Sequence, residues 1–179
     1  MTLKERYLKE AVPLLKKELG IKNVHAVPRV TKVVVSIGLS QGLKDAKIME
    51  TAEQTLTRIT GQRPVKTKAK KSLSNFKIRQ GMVVGMMVTL RGQRMWDFLT
   101  RLINATFPRI RDFRGLSPDF IDERGNISIG FRENLAFPEI HSDEVERLHG
   151  LQITVATTAG SRARGLLLLK ALGFPLQHE

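Results

Sequence analysis

The stretch Val83–Pro108, VVGMMVTLRGQRMWDFLTRLINATFP, changes its hydrophobic rhythm within a few residues. Over Val83–Arg91 the rhythm is two: Val84, Met86, Val88 and Leu90 share one face, while Val83, Gly85, Met87, Thr89 and Arg91 share the other. Alternation of this kind predicts a half-buried strand. The second face ends small, polar and basic, which suits either a sheet surface that touches a ligand or a solvated edge. From Met95 the rhythm becomes helical, with Met95, Phe98, Leu99 and Leu102 inward over Met95–Thr106 and Pro108 as the stop. A strand running directly into an amphipathic helix marks a mixed α and β chain.

The flanking sequence repeats the mixture. Thr2-Leu3-Lys4-Glu5 has the form of a capping box, followed by Leu3, Tyr7, Leu8, Val12, Leu15 and Leu19 at helical spacing, with a kink expected at Pro13 and a stop at Gly20. Thr31–Ile37 is β-branched and ends at Gly38; Ile48, Ala52, Leu56 and Ile59 line one face of a helix closed by Gly61. Pro64–Lys70 alternates Val65, Thr67 and Ala69 with Lys66, Lys68 and Lys70, so a strand here would place three lysines on one face. Ser72–Gly81 reads as an exposed loop around Phe76. Asp122–Gly125 reads as a turn before the strand Asn126–Phe131. Leu151–Thr157 is a last strand, and Ser161 caps a helix to Leu172. Several connections are too short for crossover helices. The expected fold is therefore α+β: a mainly antiparallel sheet with helices packed on one face and the other partly open. No linker or repeat divides residues 1–179, which are read as a single domain.

Charge narrows the partner. The chain has 179 residues, with 30 Lys+Arg against 17 Asp+Glu, a net +13. Ten of those positive charges fall in the 43 residues 54–96, which contain no acid, leaving +3 for the other 136. Such a run concentrates a potential that attracts phosphate and releases its counterions. A solubilising surface usually mixes signs, and an anionic membrane usually calls for a basic amphipathic helix, whereas this segment reads as strand and loop. Nucleic acid is the expected partner. Phe76, Phe107 and Phe113 are each either core residues or platforms for splayed bases. A second basic cluster, Phe107–Gly115 (FPRIRDFRG), alternates three arginines with Phe and Ile.

Catalytic and metal chemistry fail on spacing. There is no Cys, and His25, His141, His149 and His178 show no paired ligand spacing, so neither a metal site nor a cofactor is expected. His141-Ser142-Asp143 lacks a nucleophile elbow, Gly160–Gly165 lacks Walker spacing and reads as a helix start, and Gly38–Gly42 lacks a third glycine. No apolar run approaches the roughly 20 residues of a membrane span, and Met1–Glu10 lacks the apolar core of a signal peptide. A cytoplasmic protein is expected.

At Leu56–Ser72, LTRITGQRPVKTKAKKS, the chain resembles the signature segment of the bacterial large-subunit ribosomal protein five family. Further matches follow in order: Val27–Gly38, Asn75–Gly81 (NFKIRQG), Val88–Gly92 (VTLRG), Phe107–Gly115, Gly125–Asn126, Phe137–Ile140 (FPEI), Thr157–Ala159 (TTA) and Leu172–Pro175 (LGFP). The resemblance implies an RNP-like sheet with a concave RNA-binding face, in a structural protein of the central protuberance. Its implied partners are 5S rRNA, large-subunit rRNA, P-site tRNA, small-subunit head protein thirteen and neighbouring central-protuberance proteins. By the same resemblance, Lys32, Ser36, Gln62, Thr89 and Arg91 are 5S-contacting candidates, and Arg63, Lys66, Lys68, Lys70 and Lys71 would hold phosphates. Leu73, Ser74, Asn75, Phe76, Lys77, Ile78, Arg79 and Gln80 form the loop that would touch tRNA. Arg109, Arg111, Asp112 and Arg114, with the acidic Glu139, Asp143, Glu144 and Glu146, would fit the intersubunit bridge.

Two positions depart from the family pattern. Ser36 stands where Asn is common, and the last helix begins Ser161-Arg-Ala-Arg164 where relatives usually carry acids. The competing classes are an RNA chaperone or an accessory of an RNA-modifying enzyme, and a nucleoid protein that would bind duplex DNA equally well.

Overall fold

The computed structural model describes residues 2–39, 46–140 and 149–177. Among the described residues five strands, β1 (Val30–Gly38), β2 (Val65–Lys68), β3 (Val83–Leu90), β4 (Ile127–Phe131) and β5 (Leu151–Thr157), form one sheet of order β2-β3-β1-β5-β4. The sheet is antiparallel and the fold is α+β. The helical elements are α1 (Leu3–Arg6), α2 (Val12–Leu19), α3 (Ala46–Thr60), α4 (Gly92–Arg101), the single turn α5 (Phe107–Arg109) and α6 (Arg162–Leu172). The chain's internal contacts gather into two compact units. One comprises residues 1–33, 90–129 and 154–179, the other residues 34–89 and 130–153.

In the first unit the amino-terminal helix begins at the expected capping box. The Glu5 N–H donates to Thr2 Oγ1 (3.3 Å), and the Thr2 N–H donates to Glu5 Oε2 (3.2 Å). A π-helical turn, Tyr7–Ala11, joins α1 to α2 and sets Pro13 at the start of α2. Ala11 and Val12 keep helical dihedrals, so the helix runs on through this point, and the π turn accommodates the hydrogen bond that the Pro13 nitrogen cannot make. The extra residue in the turn also re-spaces the buried stripe, which is Leu3, Tyr7, Ala11 and Leu15. Leu8, expected on that stripe, is instead 57% exposed. Tyr7 packs tilted against Trp96, ring centroids 5.5 Å apart, and donates its phenol O–H to the Pro28 carbonyl at 3.0 Å. Burial pushes the Tyr7 phenol pKa up, against the opposing charge of Arg29.

The helix after β3 runs on through a π turn, Leu102–Thr106, into α5, so Pro108 starts one more turn rather than ending the helix. Phe107 is fully buried, stacked on Phe113 at 5.4 Å and edge-on to Phe174 at 6.2 Å. It is a core residue and not a base platform.

The turn before β4 is held by side chains. Asp122 Oδ1 accepts the N–H groups of Arg124 (2.9 Å) and Asn126 (2.8 Å), and Oδ2 accepts the Asn126 amide (2.8 Å). Asn126 Oδ1 accepts the Thr157 N–H, and Thr157 Oγ1 donates to the Gly125 carbonyl, both at 2.8 Å. The sequence motifs Gly125–Asn126 and Thr157–Ala159 thus meet in one knot that ties the turn to β5. Ser161 caps α6 through the Arg164 N–H (3.4 Å), which settles Gly160–Gly165 as a helix start. His141-Ser142-Asp143 and Ser40–Gly42 lie outside the described residues.

Candidate nucleic-acid interface

The second unit contains most of the acid-free run, and its sheet has two unlike faces. Val35 and Ile37 of β1 and Met86 and Val88 of β3 are buried, and α3 presents the buried Ala52, Leu56 and Ile59. The side occupied by α3 follows from an ion pair. Lys66 lies opposite Met86 across β2 and β3, and its Nζ reaches Glu53 of α3 at 3.2 Å. Paired residues share a face, so α3 covers the Met86 side. The opposite side is open, and along β3 it carries Gly85, Met87 and Thr89.

The short edge strand β2 pairs Val65 with Met87, Lys66 with Met86, Thr67 with Gly85 and Lys68 with Val83. The register shifts between Thr67 and Lys68. The extra residue is Val84 on β3, so β2 itself keeps its alternation through Thr67 and Lys68. Lys66 and Lys68 therefore share a face, as the alternation predicts, and the strand ends before Lys70. Lys66 reaches Glu53 on the helix side, and Lys70 lies beyond the strand. The irregularity falls on β3 at Val84, and no local pattern in residues 83–90 announces it.

Gly85 marks the close approach of β1, β2 and β3. A Cβ there would lie 2.7 Å from the Ile37 carbonyl oxygen and 3.0 Å from Thr67 Oγ1. Its absence leaves the open face flat beside Met87. Met87 is 40% exposed and Val65 62% exposed. Periodicity places both on the open face, but their exposure depends on which side α3 occupies.

Glu53 collects two of the expected phosphate-holding cations. Besides Lys66, it accepts a hydrogen bond from Arg63 Nε at 3.0 Å. The hydrogen bond from Arg63, and then that from Lys66, hold the Glu53 carboxyl below its ordinary pKa. Gln62 is positioned by its backbone: its N–H donates to Thr60 Oγ1 (3.3 Å), and its half-exposed side chain projects from that corner. By contrast, among the described residues no ion pair occupies Lys68, Lys70, Lys71, Lys77 or Arg79, and all five are exposed.

Residues 73–80 form a structured tip. Leu73 and Ile78 exchange backbone hydrogen bonds at 2.9 and 3.1 Å around the short 3-10 turn Ser74–Phe76. Lys77 takes a left-handed conformation (φ 54°), and the Gln80 N–H donates to Ser72 Oγ at 2.9 Å. Below the tip, Ala69 and Met82 are joined at 2.8 Å, and Gly81 and Ala69 at 2.9 Å. Phe76 is 70% exposed at the end of this hairpin. Ser74, Asn75, Lys77 and Arg79 are exposed around it, and Ile78 is half-buried.

The remaining candidates are spread over both units. Ser36 and Thr89, both half-buried, belong to the second unit, and Lys32 and Arg91 belong to the first. Arg109, Arg111, Asp112 and Arg114 are exposed in the first unit, Arg109 ending α5 and the other three on the loop after it. Glu139, in the second unit, is half-buried; Asp143, Glu144 and Glu146 lie outside the described residues. Arg162, in the reversed helix start, binds Asp119 at 2.7 Å, a hydrogen bond that lowers the Asp119 pKa.

Against known proteins, residues 23–79 match the family described as ribosomal protein L5, and residues 83–176 match the description of that ribosomal family's C-terminus. Large ribosomal subunit protein uL5 of Fervidobacterium nodosum is 50% identical over 177 residues, covering 99% of this chain and 96% of the relative. The protein of the same name from Herpetosiphon aurantiacus is 53% identical over 175 residues, covering 98% of each. That of Acaryochloris marina is 51% identical over 177 residues, covering 99% of this chain and 98% of the relative. Two adjoining family matches and near full-length identity to these relatives establish that the chain belongs to the ribosomal protein L5 family.

Proposed function

We propose that this chain, a structural protein of the bacterial large ribosomal subunit and not an enzyme, attaches 5S rRNA in the central protuberance. The observation that carries this reading is the exposed set Lys68, Lys70, Lys71, Lys77 and Arg79, which no acidic side chain among the described residues neutralises. Unpaired cations on a rigid strand–hairpin hold a phosphate backbone by counterion release, while Gln62, Ser36 and Thr89 supply hydrogen bonds to base edges or ribose. Lys32 and Arg91 are further 5S-contacting residues, in the first unit. Arg63 and Lys66 join it only by exchanging Glu53 for phosphate.

The hairpin at residues 73–80 is the contact to P-site tRNA, since its backbone bonds hold Phe76 outward at the tip while Lys77 and Arg79 flank it. Arg109, Arg111, Asp112 and Arg114, with Glu139, Asp143, Glu144 and Glu146, form the bridge to small-subunit head protein thirteen. Large-subunit rRNA and the neighbouring central-protuberance proteins complete the partners.

The test is binding of 5S rRNA at two salt concentrations, beside a scrambled RNA of equal length and duplex DNA. Preference for 5S rRNA that persists at the higher salt is expected. Equal affinity for all three ligands would refute the reading, since phosphate attraction alone does not discriminate.

A further inference from the structure

We propose that Val65 and Met87 form an apolar platform on the open sheet face, against which an unpaired nucleobase of the bound RNA packs; this rests on the 5S reading above. The two side chains are direct cross-strand partners and are 62% and 40% exposed. Cross-strand partners have Cβ atoms about 5 Å apart, so together they make a floor on the scale of one base. Gly85, where a Cβ would meet the Ile37 carbonyl at 2.7 Å, keeps the neighbouring surface level. Thr67, paired with Gly85, and Thr89 border the floor with half-buried hydroxyls.

Electrostatics choose the occupant. The platform lies within residues 54–96, which contain ten basic residues and no acid. A neutral or basic protein partner gains nothing from that surround, whereas a polynucleotide does. Flat apolar floors on sheets receive unstacked bases in RNA-binding domains, there with aromatic side chains. Here a methionine thioether and a valine supply the dispersion contact with polarizable, unbranched reach from one strand and stiffness from the other.

An apolar contact displaces no counterions, which separates its signature from that of a lysine. The experiment measures 5S rRNA binding by the full chain and by Val65→Ser and Met87→Ser over a salt series. Alongside it, the Met87 methyl resonance of the wild-type protein is followed on adding RNA. The expected result is about a tenfold loss for each variant, the low end of base-stacking energies, with an unchanged salt slope. The Met87 methyl should move upfield, as a ring current over its face requires. If the wild type prefers 5S rRNA yet both variants bind it equally well and the methyl does not move, the platform is refuted and the apolar pair belongs to a protein neighbour. If the wild type shows no preference for 5S rRNA over scrambled RNA, the 5S reading itself is refuted.

Discussion

Replacing Gly165 by alanine sets two known effects against each other at one buried helix position. Alanine inside a helix is favoured over glycine by about 1 kcal/mol, and on that ground alone Gly165→Ala would stabilise α6. The structure places the new Cβ 2.6 Å from the Gly125 carbonyl oxygen and 2.9 Å from its carbonyl carbon. Both obstacles are backbone, so no side chain can rotate aside. Gly125 is itself held in place. It adopts φ +82° in a turn whose carbonyl accepts Thr157 Oγ1, and the Asp122–Asn126 bonds close the same turn. Relief therefore requires α6 or the turn to shift, and overpacking of this kind costs about 1–3 kcal/mol, occasionally more. The upper end applies to a backbone obstacle, so the net effect is a destabilisation of roughly 2 kcal/mol once the helix gain of about 1 kcal/mol is deducted. For a chain of this length that lowers Tm by about 4–8 °C. Urea unfolding with a thermal scan measures both quantities. An unchanged or raised midpoint for Gly165→Ala would mean that the turn and helix do not meet as described.

Further outcomes follow from the interface and the knot. Lys68→Ala should weaken all RNAs alike and flatten the salt slope by about one unit; an unchanged slope in a salt titration would remove Lys68 from the phosphate set. Gln62→Ala should leave that slope alone and reduce the preference for 5S over scrambled RNA, read in a competition assay. Phe76→Ala should reduce tRNA affinity without altering 5S rRNA binding or thermal stability, because its side chain is 70% exposed; equal tRNA binding would detach the tip from that role. Burial opposes ionisation of Asp122, but bonds from the Asn126 amide and the N–H groups of Asn126, Arg124 and Gly125 prevail and hold its carboxyl below the ordinary 3.8. A folded value below the unfolded one means full stabilisation above the unfolded pKa, lost as pH falls through the folded value. Asp122→Ala should therefore lower the urea midpoint near neutrality, with the gap to wild type narrowing below about pH 4, the ordinary aspartate value; a gap independent of pH would show that the ionised carboxylate contributes nothing.

Much of this protein was legible one residue at a time. Alternation in Val83–Leu90 and helical spacing in Met95–Leu102 fix which side chains turn inward, because burial of apolar surface follows the period of the local backbone. Capping at Thr2 and Ser161 and the stops at Gly20 and Gly61 depend only on nearby backbone groups, so they too were readable. The acid-free run needed only counting. Where a π turn re-spaced the first helix, local spacing misassigned Leu8. Where β2 ended at Lys68, alternation over Pro64–Lys70 carried Lys70 onto a strand face it does not reach. Where three aromatics converged around Phe107, composition left core and platform undecided. These features depend on what lies across the sheet or beneath the helix, at sequence separations a local pattern does not sample. The sequence by itself therefore determined the α+β class, the family and the presence of an RNA-directed charge. Only the tertiary structure decided which cations remain unpaired, because Glu53 on α3 meets Arg63 and Lys66 through space and leaves Lys68 and its neighbours open.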